Sequence, residues 1–178
     1  MSELAWIAEG RRNIGLREIK GSKHNPTLLR WLKDMGQYNN ESKAWWHDDE
    51  TPWCGLFVGH CLGESGRYVV KKWFRAGAWV DSQMMTKLDK PAYGCIVTFN
   101  RQRGGHVGFV VGKDVSGNLM VLGGNQGDAV SIAAFAVSRV TGFYWPSKWT
   151  GKLVKSVPLA SRYILPMLSS TGLSTNEA

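Results

Sequence analysis

Cys54 and His106 are the residues whose type and setting suit bond-breaking chemistry. A cysteine attacks through its thiolate, and a histidine beside it takes the thiol proton and returns it to a leaving group. Cys54 lies in Asp48-Asp49-Glu50-Thr51-Pro52-Trp53-Cys54-Gly55-Leu56-Phe57-Val58. This stretch reads as a helix start, with Thr51 suited to the N-cap, Pro52 to the first turn and Gly66 to the left-handed close. Helix-start amides and the helix dipole favour a negative sulfur, so the setting promotes the thiolate. A free cysteine is as often a small buried apolar residue, and the sequence around it leaves both readings open. His106 tips the balance, because Gly104-Gly105-His106-Val107-Gly108-Phe109-Val110-Val111-Gly112 sets it at the entrance of a β-branched strand.

Cysteine catalysis also uses a polar group that orients the histidine. The candidate is Asn125 in Leu122-Gly123-Gly124-Asn125-Gln126-Gly127-Asp128, and Gln126 and Asp128 compete for the same position. Asparagine among glycines is equally a turn residue. Trp46 and Trp53, with Trp45, crowd the approach to Cys54, where indole faces can line a groove for sugar or peptide. Asp48, Asp49 and Glu50 suit the positive helix start, and calcium in that acidic loop is a lesser reading. No other cofactor is expected. Cys54, His60, Cys61 and Cys95 offer no paired CxxC or HExxH spacing, so a zinc site is not expected.

The elements that must position these residues change character along the chain. Leu4, Ile7 and Ala8 mark a first helix capped by Ser2, and Asn25-Pro26 opens a second, stopped by Gly36. The Cys54 helix is third, and a short helical piece is expected around residues 71–75. From Pro91 onward come five short strands: 93–99, 106–112, 118–122, 129–135 and 140–145. Helices first and strands afterwards predict an α+β domain, with the helices on one face of an antiparallel sheet of about five strands. Residues 1–150 are expected to form this domain and residues 151–178 a loosely attached appendage.

The chain has 178 residues, enough for one domain with a sizeable core. Its three cysteines read as free thiols, and no apolar run is long enough to span a bilayer. The start lacks the pattern of a secretory signal, so synthesis in the cytoplasm without membrane insertion is expected. A net charge of +8 points to a polyanionic partner, yet no zinc-finger, RNP or basic-zipper pattern is present, and nucleic acid is not the expected one. A monomer is expected.

Thr51-Pro52-Trp53-Cys54, the Gly105–Gly112 strand, the Leu122–Gln126 turn and Trp145-Pro146, in this order, resemble the CHAP and NlpC/P60 group of papain-like peptidoglycan hydrolases. The likeness is nearest to short single-domain endolysins of phages and prophages. It implies a papain-like fold and hydrolysis of an amide bond in the peptide part of bacterial peptidoglycan, with Cys54 as nucleophile and His106 as base and acid. The resemblance lends Asn125 the orienting role. It also suggests Trp46, Trp53, Arg103 and Gln126 as substrate-binding residues, Arg103 toward stem-peptide carboxylates. An endolysin would be made in the host cytoplasm and reach the wall after the inner membrane is breached, causing lysis. A non-catalytic wall-binding module and a secreted antibacterial amidase are the competing readings. Two positions depart from the family pattern: Trp53 replaces a frequent glutamine before the cysteine, and Gly123 replaces a frequent glutamate two residues before the asparagine.

Overall fold

Asn25 starts a helix as its chemistry suggests: its side chain accepts the Thr27 N–H at 2.9 Å while Pro26 fills the first turn. The structure, a computed structural model, describes residues 2–38, 53–80, 83–101 and 104–174. Its α-helices are α1 (Ala5–Arg12), α2 (Pro26–Met35) and α3 (Cys54–Gly63). At α1 the cap is Leu4 rather than Ser2, without a side-chain bond, and burial of Trp6 and Ile7 holds the helix instead. Gly36 does not stop the chain after α2, which runs on as a tighter turn over Gly36–Tyr38.

Helix α3 is buried nearly all round because it packs against α1 and α2 as well as the sheet. The Phe57 ring lies 6.4 Å from Trp31 of α2 and 6.2 Å from Phe109 of the sheet. Gly66 closes the helix as expected, at φ +62°, and the Arg67 N–H returns to the Leu62 carbonyl at 2.9 Å.

The sheet contains β1 (Thr86–Leu88), β2 (Ile96–Arg101), β3 (Gly104–Lys113), β4 (Leu119–Gly123), β5 (Ser131–Phe135) and β6 (Val140–Trp145). All pairings are antiparallel, in the order β1-β6-β2-β3-β4-β5. The α+β expectation holds with six strands rather than five. The extra strand, β1, is three residues long, too short for alternation to reveal. A two-residue pair, β7 (Lys148–Trp149) and β8 (Leu153–Val154), follows.

The sheet is rolled. Phe135, at the end of edge strand β5, stacks on Phe99 of β2 with centroids 4.7 Å apart, although β3 and β4 separate the two strands in the sheet. Tryptophan builds much of the core: Trp6, Trp31, Trp53, Trp73, Trp79 and Trp145 are all buried. Several spend their N–H on a partner, as Trp6 does on the Gly94 carbonyl at 2.8 Å and Trp73 on the Met35 carbonyl at 3.1 Å.

The segment after residue 150 is not loosely attached, as its composition suggested; it is bonded along the sheet. Lys113 donates its N–H to the Pro166 carbonyl at 2.9 Å, Leu168 to the Lys113 carbonyl at 2.8 Å and Ser174 to the Ala134 carbonyl at 2.7 Å. Ser170 Oγ donates to Asp114 at 2.8 Å. Main-chain bonds of this kind depend little on side-chain type, so a polar, proline-containing composition hides them.

Candidate active site

Cys54 is the first residue of α3, behind Trp53 as its cap, and only 6% of it is exposed. Thr51 and Pro52, the expected cap and first-turn residue, lie outside the described residues. Gly55 shows how tightly the helix start is seated: a Cβ there would lie 2.0 Å from the Trp73 carbonyl oxygen and 3.3 Å from Trp79 Nε1. Gly105, beside His106, approaches the same piece of chain, since a Cβ on it would lie 3.3 Å from the Ala76 methyl. The short helical turn Ala76–Trp79 therefore abuts the chain neighbours of both Cys54 and His106. It falls just after the helical piece expected around residues 71–75.

A second support comes from residues 15–20. Val130 donates to the Leu16 carbonyl at 2.8 Å and Glu18 N–H to the Asp128 carbonyl at 3.2 Å, which fixes the turn after β4. The Glu18 carboxylate then accepts the Trp53 indole N–H at 3.1 Å, tying that turn to the start of α3. Trp53 is 2% exposed and packs its ring against Gly124, where a Cβ would come within 2.7 Å of it. It is a buried strut rather than the expected wall of a substrate groove.

His106 is 1% exposed and lies nearly parallel to the Phe135 ring, 7° apart in plane and 5.3 Å between centroids. Its Nε2 is 3.0 Å from Gln126 Oε1. The Gln126 amide nitrogen donates to the Ser131 carbonyl at 2.9 Å and the Val121 carbonyl at 3.2 Å. Two carbonyls on one side of the amide put its NH2 there and its oxygen toward the ring. An acceptor at Nε2 then requires Nε2–H, which leaves the lone pair of the neutral imidazole on Nδ1.

The place at the ring that the sequence assigned to Asn125 is thus filled by Gln126. Asn125 sits at φ +57°, where asparagine is among the few residues tolerated, so it shapes the turn. Gly123 explains the exchange. A Cβ there would lie 2.3 Å from Gln126 Oε1 and 3.3 Å from His106 Nε2, so the absent side chain leaves the room that Gln126 uses. The glycine two residues before Asn125 was the available signal.

Cys61, Cys95 and His60 are held in the packing. Burial pushes the Cys95 thiol up to about 12 and, with the Glu9 charge nearby, the Cys61 thiol well above its ordinary value. His60 stacks on Trp31 at 4.1 Å and meets the Glu9 carboxylate at 3.0 Å. Among the described residues no group of three or more His, Cys, Asp or Glu is placed to hold a metal ion. Trp46, Arg103 and the acidic Asp48, Asp49 and Glu50 lie outside the described residues.

A cysteine on the first turn of a buried helix, packed on an antiparallel sheet that carries a histidine with an amide on its Nε2, is the arrangement of a papain-like fold. Residues 46–125, a little under half of the chain, match the model of the CHAP domain family. CHAP domains are typically cysteine- and histidine-dependent amidases or peptidases acting on peptidoglycan. No curated protein and no solved structure matches the chain. The family match ends at Asn125, one residue before Gln126.

Proposed function

We propose that the protein cleaves an amide bond in the peptide part of peptidoglycan by cysteine nucleophilic catalysis. The observation that carries the reading is the His106–Gln126 pair, which leaves a basic Nδ1 in a domain whose other reactive group is the thiol at the start of α3. His106 Nδ1 takes the Cys54 proton as Sγ attacks the scissile carbonyl carbon. The oxyanion forms at the positive end of α3, where the Cys54 backbone N–H is the natural donor. His106 then gives its proton to the leaving nitrogen, the C–N bond breaks, and a free amine departs from a thioester. Water, deprotonated by the same Nδ1, attacks the thioester and releases the carboxylate and Cys54. Gln126 holds the ring in the right tautomer and stabilises the imidazolium between the steps.

The wider reading is an endolysin that degrades the host wall and lyses the cell, supported by the family and by the net charge of +8, which suits an anionic envelope. The test is mass spectrometry of purified peptidoglycan digested by the protein and by Cys54→Ala. New amine ends produced only by the intact chain identify the bond that is cut. No new fragments from walls of several types, with the protein folded, would favour a wall-binding module instead.

A further inference from the structure

Arg162 is a buried cation without a counter-ion among the described residues. It lies in a short helical turn, Ala160–Tyr163, of the segment that follows the sheet, and is 7% exposed. Its guanidinium donates to the Ser2 carbonyl at 2.8 Å and stands 5.5 Å from the centre of the Tyr93 ring. Among the described residues no carboxylate lies within ion-pair distance of it. A buried charge is costly unless paired, and one carbonyl with one ring face leaves most of the guanidinium fork unspent.

Arg162 also lines a cavity of about 270 Å³ between the start of the chain, β3 and the final segment. Ser2, Glu3, Arg11 and Tyr93 supply its other polar groups, and Val111 and Leu168 close it with apolar surface. Arg11 reaches the Tyr93 hydroxyl at 3.3 Å and faces the Glu3 carboxylate at 3.5 Å without a hydrogen bond from its buried Nε. Glu3 also accepts the Tyr93 O–H at 2.7 Å. The lining thus holds one carboxylate against two guanidinium groups, which leaves the cavity positive.

We propose that this cavity is an anion site that takes a phosphate-type oxyanion between Arg162 and Arg11. Two guanidinium forks brought in from different elements suit a tetrahedral, multiply charged anion, whereas a single fork saturates a planar carboxylate. The site is separate from the chemistry: Val111 stands five residues along β3 from His106, roughly 17 Å at strand spacing. An anion held there leaves the reacting centre open. Phosphate groups of envelope polymers, of anionic lipids and of free phosphate share this chemistry. The first two would anchor a hydrolase on the surface it degrades.

The experiment is calorimetric titration and thermal unfolding of the full chain with inorganic phosphate, glycerol phosphate and phosphatidylglycerol vesicles, against chloride at matched ionic strength. Saturable binding is expected, with a rise in Tm, and Arg162→Met and Arg11→Met should each weaken it by about tenfold or more. Vesicle capture that both variants lose would identify lipid as the source, and capture of the small phosphates alone would identify a soluble or polymer phosphate. Arg162 also ties the final segment to Ser2, so if Arg162→Met fails to fold, the partly exposed Arg11→Met carries the test. No saturable response to any of the three probes, or unchanged affinity in Arg11→Met, would overturn the proposal. The readout is binding, so it stands or falls apart from the hydrolytic reading.

Discussion

Replacing Gln126 by methionine keeps the side-chain volume and removes the amide that meets His106 Nε2 at 3.0 Å. A hydrogen bond to a charged partner contributes about 1.5–3 kcal/mol, and the imidazolium is the charged partner here. Losing that much in the transition state lowers kcat roughly 10- to 150-fold. The fold is affected separately, because a buried N–H without an acceptor costs about 1–3 kcal/mol, and the Ser131 and Val121 carbonyls lose their donor. The assay is release of free amine from purified peptidoglycan, with circular dichroism to confirm folding. Nitrogen NMR of the His106 ring supplies a readout that a merely structural role would not move: Nε2–H should dominate in the native protein and share with Nδ1–H in the variant. Asn125→Gly is the control, since glycine keeps the left-handed backbone at φ +57°. It should retain most of the activity. Full activity and an unchanged tautomer in Gln126→Met, with loss of activity in Asn125→Gly, would refute the assignment.

Gly55→Ala would drive a methyl into the Trp73 carbonyl oxygen and displace the start of α3; overpacking of this kind costs about 1–3 kcal/mol or more, readable by thermal unfolding alongside a fall in activity. Iodoacetamide at mildly alkaline pH should label Cys54 in the native protein while Cys61 and Cys95, buried and held as thiols, react only after unfolding; peptide mapping would show it. Glu9 predicts an acid response. Burial works to raise its carboxyl, but the bonds from Arg12, His60 and Asn13 more than reverse this and hold it below the ordinary carboxylate range. Its folded pKa is below its unfolded one, so its stabilisation is complete above the unfolded value and fades as pH falls through the folded one. Glu9→Gln should therefore be less stable than the native chain at neutral pH and lose less on acidification, measured as Tm against pH.

Periodicity and turn chemistry carried much of the fold. The Asn25-Pro26 start and the Gly66 close behave as their side chains dictate, because both depend on groups within a few residues of one another. The five longer strands are apolar-rich runs of five to ten residues bounded by turn residues, whereas β1 is brought into the sheet by pairing with β6, a contact across more than fifty residues. The attachment of the final segment runs through backbone groups of Pro166, Leu168 and Ser174, which leave little mark on composition.

The site divides along the same line. By itself the sequence determined that Cys54 opens a helix and that His106 sits near the start of a strand, because both settings are recognisable from their neighbours alone. Only the tertiary structure decided which polar residue meets the histidine. Asn125 and Gln126 are adjacent in the chain, but a backbone at φ +57° turns one into the corner, while the space left by Gly123 admits the other to the ring. It likewise decided that Trp53 is a strut and that Arg162, distant in sequence from Ser2 and Arg11, joins them around one cavity. Local patterns record the conformation of a few consecutive residues; which side chains meet depends on packing between segments far apart in the chain, and that is set by the fold as a whole.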